Sequence, residues 1–81
     1  MSNLRNTLLK PHNLKIFLEK NFNSNDTFTS NYLKILIEKK EGVYLYNPRL
    51  LKSLEELVKM NFLSIEYKSV DNRTVQYYKM K

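Results

Sequence analysis

Apolar residues recur along this chain with two different periods, and the period changes once, near Asn61. Before that point the spacing is helical. Leu14, Phe17 and Leu18 stand at i, i+3 and i+4, with Lys15, Glu19 and Lys20 outside the stripe. This predicts a helix over 11–22, with Pro11 suited to a first helical position because its missing N–H would have no partner there. Residues 21–26 are rich in Asn and Asp, whose side chains bond to nearby backbone and tolerate left-handed geometry, so they read as a turn. Phe28 anchors a short extended piece over 27–29. Ser30 then reads as the N-cap of a second helix over 31–40, with Tyr32, Leu33, Leu36 and Ile37 on one face. Gly42, the one glycine, supplies the left-handed cap that ends it. The alternating stretch 43–46 fits either a short strand or a structured turn. Asn47-Pro48 is the strongest start signal in the chain, with Asn capping and Pro first in the helix. The third helix is expected to run to about Met60. Leu50, Leu51, Leu54, Leu57 and Val58 form its inner stripe, and Arg49, Lys52, Ser53 and Glu56 its outer one.

After Asn61 the period becomes two. Leu63, Ile65 and Tyr67 alternate with Ser64, Glu66 and Lys68. Val70-Asp71-Asn72-Arg73 reads as a turn, and Thr74 to Met80 as a second strand with Tyr77 and Tyr78 on opposite faces. Two such runs joined by Asp-Asn make a hairpin. At the other end, Leu4, Leu8 and Leu9 fall on one side of a short helix at 3–9, or belong to an arm that packs on the body or on a second subunit. The expected organisation is therefore an N-terminal arm or short helix over 1–10 and one domain over 11–81.

Composition removes whole classes of chemistry. The 81 residues suffice for one small domain. There is no cysteine, so disulfides, thiolate zinc sites and a cysteine nucleophile are all excluded. With a single glycine, a Gly-rich phosphate loop cannot be built. Glu55 and Glu56 are adjacent and would point about 100° apart on a helix, a poor arrangement for sharing an ion. His12, the only histidine, stands in no catalytic pattern and reads as a surface residue. The expectation is no metal, no cofactor and no enzymatic activity. No apolar run approaches the roughly 20 residues of a membrane span, and the first residues lack a secretory pattern, so a cytoplasmic protein without membrane contact is expected. What remains is charge. Fourteen Lys and Arg against eight Asp and Glu give +6, which points either to solubility or to an anionic partner, nucleic acid above all.

The order helix, helix, helix, hairpin, and the run LLKSLEELVKMNFLSIEYKSVDNRTVQYYKM within it, resembles the winged helix-turn-helix superfamily of nucleic-acid-binding proteins. The residues that carry the likeness are Leu54, Leu57, Phe62, Leu63, Ile65, Asp71, Arg73, Tyr78 and Lys79. The resemblance implies an α+β fold, a three-helix bundle with a C-terminal β-hairpin wing. It also implies that Arg49, Lys52 and Ser53 face a DNA groove and that Arg73 sits on the wing. Two features depart from the pattern: the link EGVYLYN is longer than a tight turn, and Glu55 and Glu56 dilute the charge of the third helix. Independently of the likeness, Lys68, Arg73 and Lys79 on a hairpin can reach phosphate, or can simply protect a sheet edge.

Three functions follow as expectations. The first is a small DNA-binding transcriptional regulator preferring duplex DNA, with a homodimer contact through Leu4, Leu8 and Leu9. The second is a single-stranded DNA-binding accessory protein for replication of a phage, plasmid or other mobile element, in which Tyr77 and its neighbours stack on bases beside cations. The third is a protein–protein docking module using the strand from Leu63 to Tyr67. The expected nucleic-acid-binding set is Arg49, Lys52, Ser53, Lys68, Arg73, Tyr77 and Lys79.

Overall fold

The computed structural model describes residues 7–81. Among the described residues the fold is α+β: beyond a helical turn at 7–8, three helices and a three-stranded antiparallel sheet, in the order α1 (Pro11–Asn21), β1 (Thr27–Phe28), α2 (Ser30–Glu41), α3 (Asn47–Lys59), β2 (Leu63–Val70) and β3 (Arg73–Met80). The chain enters through a helical turn at 7–8 and turns at Leu9-Lys10 into α1. The expected short helix at 3–9 lies largely outside the described residues, as does Leu4.

Each element forms for a local reason. α1 buries Leu14, Phe17 and Leu18, and its last turn is closed by the Asn21 side chain donating to the Phe17 carbonyl at 2.8 Å. In the following turn Asn25 takes φ 74°, and the Asp26 carboxylate accepts the Asn23 N–H at 2.7 Å. α2 buries Leu33 and Ile37. Its N-cap is Thr29, one residue before the expected Ser30. The Thr29 hydroxyl accepts the Tyr32 N–H at 3.1 Å, satisfying one of the unpaired donors of the first turn. Gly42 ends α2 at φ 66°, as its sequence position predicts.

The stretch 43–46 is a loop and not a strand. Glu38 organises it. Its carboxylate accepts the Leu45 N–H at 2.7 Å and pairs with Lys34 at 3.1 Å, while the Lys34 ammonium lies 5.0 Å from the Tyr44 ring centre. These contacts hold the Glu38 carboxyl below its ordinary value, the Leu45 N–H contributing most and Lys34 next. Leu45 is thereby pinned into the core.

α3 begins differently from expectation. Tyr46 occupies the cap position without a side-chain cap bond, Asn47 already lies in the first turn, and the Tyr46 carbonyl accepts the Arg49 N–H at 3.1 Å and the Leu50 N–H at 3.3 Å. Pro48 supplies the start signal instead. The helix ends in a Schellman arrangement. Asn61 adopts φ 67°, Phe62 donates to the Leu57 carbonyl at 3.0 Å, and Asn61 donates to that of Val58 at 3.0 Å.

The sheet runs β1-β3-β2. β2 and β3 pair from Leu63↔Met80 to Val70↔Arg73, closed by the two residues Asp71 and Asn72 at φ 50° and 62°. Two left-handed residues in succession make a type I′ turn, whose twist suits a hairpin. The third strand was not foreseen as part of a sheet. β1 has only two residues, and its pairing Thr27↔Lys79 and Phe28↔Tyr78 exists only because the chain folds back. The core joins Leu9, the inner stripes of all three helices, Leu45, and the inward residues Phe28, Leu63, Tyr78 and Met80 of the sheet. Phe28 stacks between Phe22 at 4.7 Å and Tyr78 at 5.9 Å between ring centres. From Tyr67 to Thr74 every residue is exposed, so the hairpin extends beyond the helical layer.

Candidate nucleic-acid interface

α3 presents its charges unevenly. Leu50, Ser53, Leu54 and Leu57 face inward, which leaves Asn47, Pro48, Arg49, Leu51, Lys52, Glu55 and Lys59 exposed. No acidic residue stands in the first turn, and the N–H groups there have no side-chain cap. The helix dipole makes this end electropositive, although Pro48 has no N–H and the Arg49 and Leu50 N–H groups donate to the Tyr46 carbonyl, and Arg49 and Lys52 add full charges to it. The acids begin only at Glu55, which pairs with Lys59 at 3.9 Å across an exposed turn. The N-terminal half of α3 is thus cationic, while the C-terminal half, with Glu55 and Glu56 against Lys59, carries one net negative charge.

Ser53 is not part of the exposed face. It is 8% exposed, and its hydroxyl donates to the Leu9 carbonyl while lying 3.2 Å from the Arg49 carbonyl. The expectation that Ser53 is exposed on the outer stripe with Arg49 and Lys52 is therefore corrected: a serine three residues after Leu50 and four before Leu57 lies at the edge of the buried stripe, at the floor of the groove those two residues line. Leu51, expected inside, is 39% exposed.

The bond to Leu9 brings a further cation to the site. Leu9, Lys10, Pro11, Arg49, Lys52, Ser53 and Glu56 line a groove of about 530 Å³ between the start of α1 and the flank of α3. Lys10 is exposed there beside Arg49 and Lys52. Sequence reading missed Lys10, because nothing in the local pattern says that the segment before Pro11 docks on α3. Leu9 is 6% exposed within the chain's own core, and Leu8 packs against that core. The dimer contact expected from Leu4, Leu8 and Leu9 thus has no free Leu9 to build on.

The remaining expected residues share one face of the sheet. By register Lys68, Arg73, Tyr77 and Lys79 point away from the helices, with Thr27, Glu66 and Val75 between them. The Lys68 ammonium lies 4.6 Å from the Tyr77 ring centre and 3.4 Å from the Thr27 hydroxyl. Lys79 pairs with Glu66 at 3.3 Å, so its charge is largely compensated. Arg73 is exposed at the hairpin end. Beside this face, Phe22, Phe28, Tyr32 and Tyr77 with Asn21, Asp26, Thr27 and Thr29 line an open concavity of about 470 Å³. Arg49 and Lys52 belong to a different element and a different groove from these sheet residues.

Comparison of the chain with protein-family models, characterised proteins and solved structures found no match. The site is therefore read from its own chemistry. On the inner side of the hairpin, burial pushes the Tyr78 phenol above its ordinary value, and the Glu55 carboxylate and Tyr67 add to the shift. Glu55 thus lies close enough to influence the hairpin's inner face, where cations are replaced by Ile65 and Tyr67. Among the described residues, no three acidic or histidine side chains converge as metal ligands, and no helix is long and apolar enough to cross a membrane.

Proposed function

We propose that this protein is a winged-helix domain that binds duplex DNA, with α3 entering the major groove by its N-terminal half and the β2–β3 hairpin acting as the wing. The observation that carries the reading is the placement of three cations, Lys10, Arg49 and Lys52, against one acid, Glu56, on one groove beside the start of α3, whose first turn holds no acidic residue. Recognition helices contact base edges chiefly through their N-terminal residues, and cations beside them hold phosphates. The topology supports the same reading: a short strand after the first helix, then two helices, then a hairpin whose end is exposed and carries Arg73. In this arrangement Arg49 and Lys52 approach bases or the flanking phosphates, Lys10 holds the backbone, and Arg73 reaches the neighbouring strand. The biological role that goes with this reading is a cytoplasmic transcriptional regulator.

The test is a pair of double variants with equal loss of charge. Arg49→Ala with Lys52→Ala weakens duplex binding by at least about fivefold, the smallest effect expected for loss of one good base contact. Lys39→Ala with Lys40→Ala, on the exposed end of α2, leaves it nearly unchanged. Equal weakening by both pairs would mean that binding follows net charge alone and would overturn the assignment to α3.

A second reading rests on a separate observation, the Lys68 ammonium seated on the Tyr77 ring at 4.6 Å beside the aromatic concavity. An exposed ring with an adjacent cation is how single-stranded nucleic acid is held, by stacking plus phosphate contact. Under this reading Tyr77→Ala weakens single-strand binding and spares the duplex.

A further inference from the structure

β2 is an edge strand eight residues long. The two-residue turn makes Val70↔Arg73 a hydrogen-bonded pair, and such pairs recur every second residue. Val70, Lys68, Glu66 and Ser64 therefore direct their N–H and C=O groups toward β3. Backbone bonds on the other side of β3 agree. Met80 donates to the Asp26 carbonyl at 2.8 Å and accepts from the Asn25 N–H at 3.0 Å, so the even residues of β3 face β1 and the odd ones face β2. It follows that Leu63, Ile65, Tyr67 and Ser69 turn their backbone groups outward along the free edge. At the same edge Ile65 is 38% and Tyr67 67% exposed.

We infer that this edge is a self-association surface, on which β2 of a second copy of the chain pairs antiparallel, with the two-fold axis at Tyr67. The charges select that register. Outward-facing residues must meet outward-facing residues, so the two-fold axis passes through a residue position. Centring on Glu66 sets Glu66 opposite its own copy, and centring on Lys68 sets lysine opposite lysine. Centring on Tyr67 sets Glu66 opposite Lys68 of the second copy, twice, in the non-hydrogen-bonded pairs where side chains lie closest. Within its own chain Glu66 also pairs with Lys79, and Lys68 rests on Tyr77. Tyr67 meets its own copy, and Ile65 meets Ser69. A mid-strand lysine protects an edge when it meets another lysine. Here the alternation Glu66-Tyr67-Lys68 turns the same charges into a code for one partner, the chain itself. The product is a six-stranded sheet with an isologous junction, and the cationic ends of the two α3 helices are related by its axis. The inference is independent of nucleic-acid binding.

The absence of cysteine makes the test clean. Residues facing each other in a hydrogen-bonded pair have Cα atoms about 5.5 Å apart, inside the window for a disulfide. Tyr67→Cys is therefore expected to give a covalent dimer on mild oxidation. Ser69→Cys, whose two copies lie several residues apart in this register, is expected to give no covalent dimer. In sedimentation velocity the unmodified chain forms dimers as its concentration rises. Glu66→Lys and Lys68→Glu, each alone, weaken the dimer by about tenfold or more, since two attractive pairs become repulsive. Mixed together, the two single variants restore it, because every cross-pair is again opposite in sign. A chain that remains monomeric at all concentrations overturns the proposal. A dimer that crosslinks equally well from position 69, or that ignores both charge reversals, overturns the register and with it the role of this edge. Should either charge variant fail to fold, the cysteine pair still decides, because positions 67 and 69 are both exposed.

Discussion

Ser53→Ala removes one hydroxyl from the seam between the segment before α1 and the flank of α3. That hydroxyl donates to the Leu9 carbonyl, the two residues are only 8% and 6% exposed, and the bond is largely shielded from water. An acceptor left unpaired in such a place costs about 1–3 kcal/mol. Alanine returns about 0.5 kcal/mol through its better helix propensity. The net destabilisation is about 0.5–2.5 kcal/mol. In a domain of this size each kcal/mol moves the melting midpoint by about 4–8 °C, so a fall of about 2–20 °C is expected. Circular dichroism on heating, with urea unfolding at room temperature, gives the two numbers. Duplex binding measured well below the midpoint stays nearly unchanged, because Ser53 touches no ligand. An unchanged midpoint together with a clear loss of DNA affinity would refute the reasoning and return Ser53 to the binding face.

Further outcomes follow from the same contacts. Phe28→Ala empties the space between Phe22 and Tyr78 and should destabilise by about 3–5 kcal/mol in urea unfolding, enough to threaten folding in so small a domain. Gly42→Ala meets nothing within 4 Å, so only the left-handed backbone resists it, and a loss of about 1 kcal/mol is expected by the same assay. Glu38 has a folded-state pKa below its ordinary 4.5. Its contribution to stability is therefore present above that value and disappears as the pH falls through the lower folded one. Glu38→Gln should flatten this part of the acid limb in urea midpoints measured against pH, leaving the neutral region with a lower but pH-independent stability.

The helices and the hairpin were legible because their signals are local. Period 3.6 in α3, period two in β2, Gly42 at a left-handed cap and Asp71-Asn72 at a tight turn all act within a few residues. Non-local contacts were less legible. Thr27 and Phe28 become a strand only when Tyr78 and Lys79 arrive beside them, and two residues carry no period. Ser53 was assigned outward because serine is polar, although its place between Leu50, Leu54 and Leu57 is an inward one. Leu51 was assigned inward because leucine is apolar, although it lies on the flank. Residue type outweighed position in both cases, and position governed. Lys10 joins Arg49 and Lys52 only through the Ser53–Leu9 bond, a contact between residues 44 apart that no spacing rule anticipates. The start of α3 shows a similar shift. Asn47 has the chemistry of a cap, but Pro48 and the loop pinned by Glu38 begin the helix one residue earlier, leaving its end without a side-chain cap.

The most direct test of DNA recognition through α3 and the hairpin is fluorescence anisotropy with a labelled duplex and one of its own strands, titrated over a series of salt concentrations. Each phosphate neutralised contributes about −0.9 to the slope of log affinity against log salt, so contacts by Lys10, Arg49, Lys52 and Arg73 predict a duplex slope of about −3 to −4. The duplex should bind more tightly than the single strand at every salt concentration. A flat salt dependence, or single-strand binding equal to or above that of the duplex throughout, would contradict it.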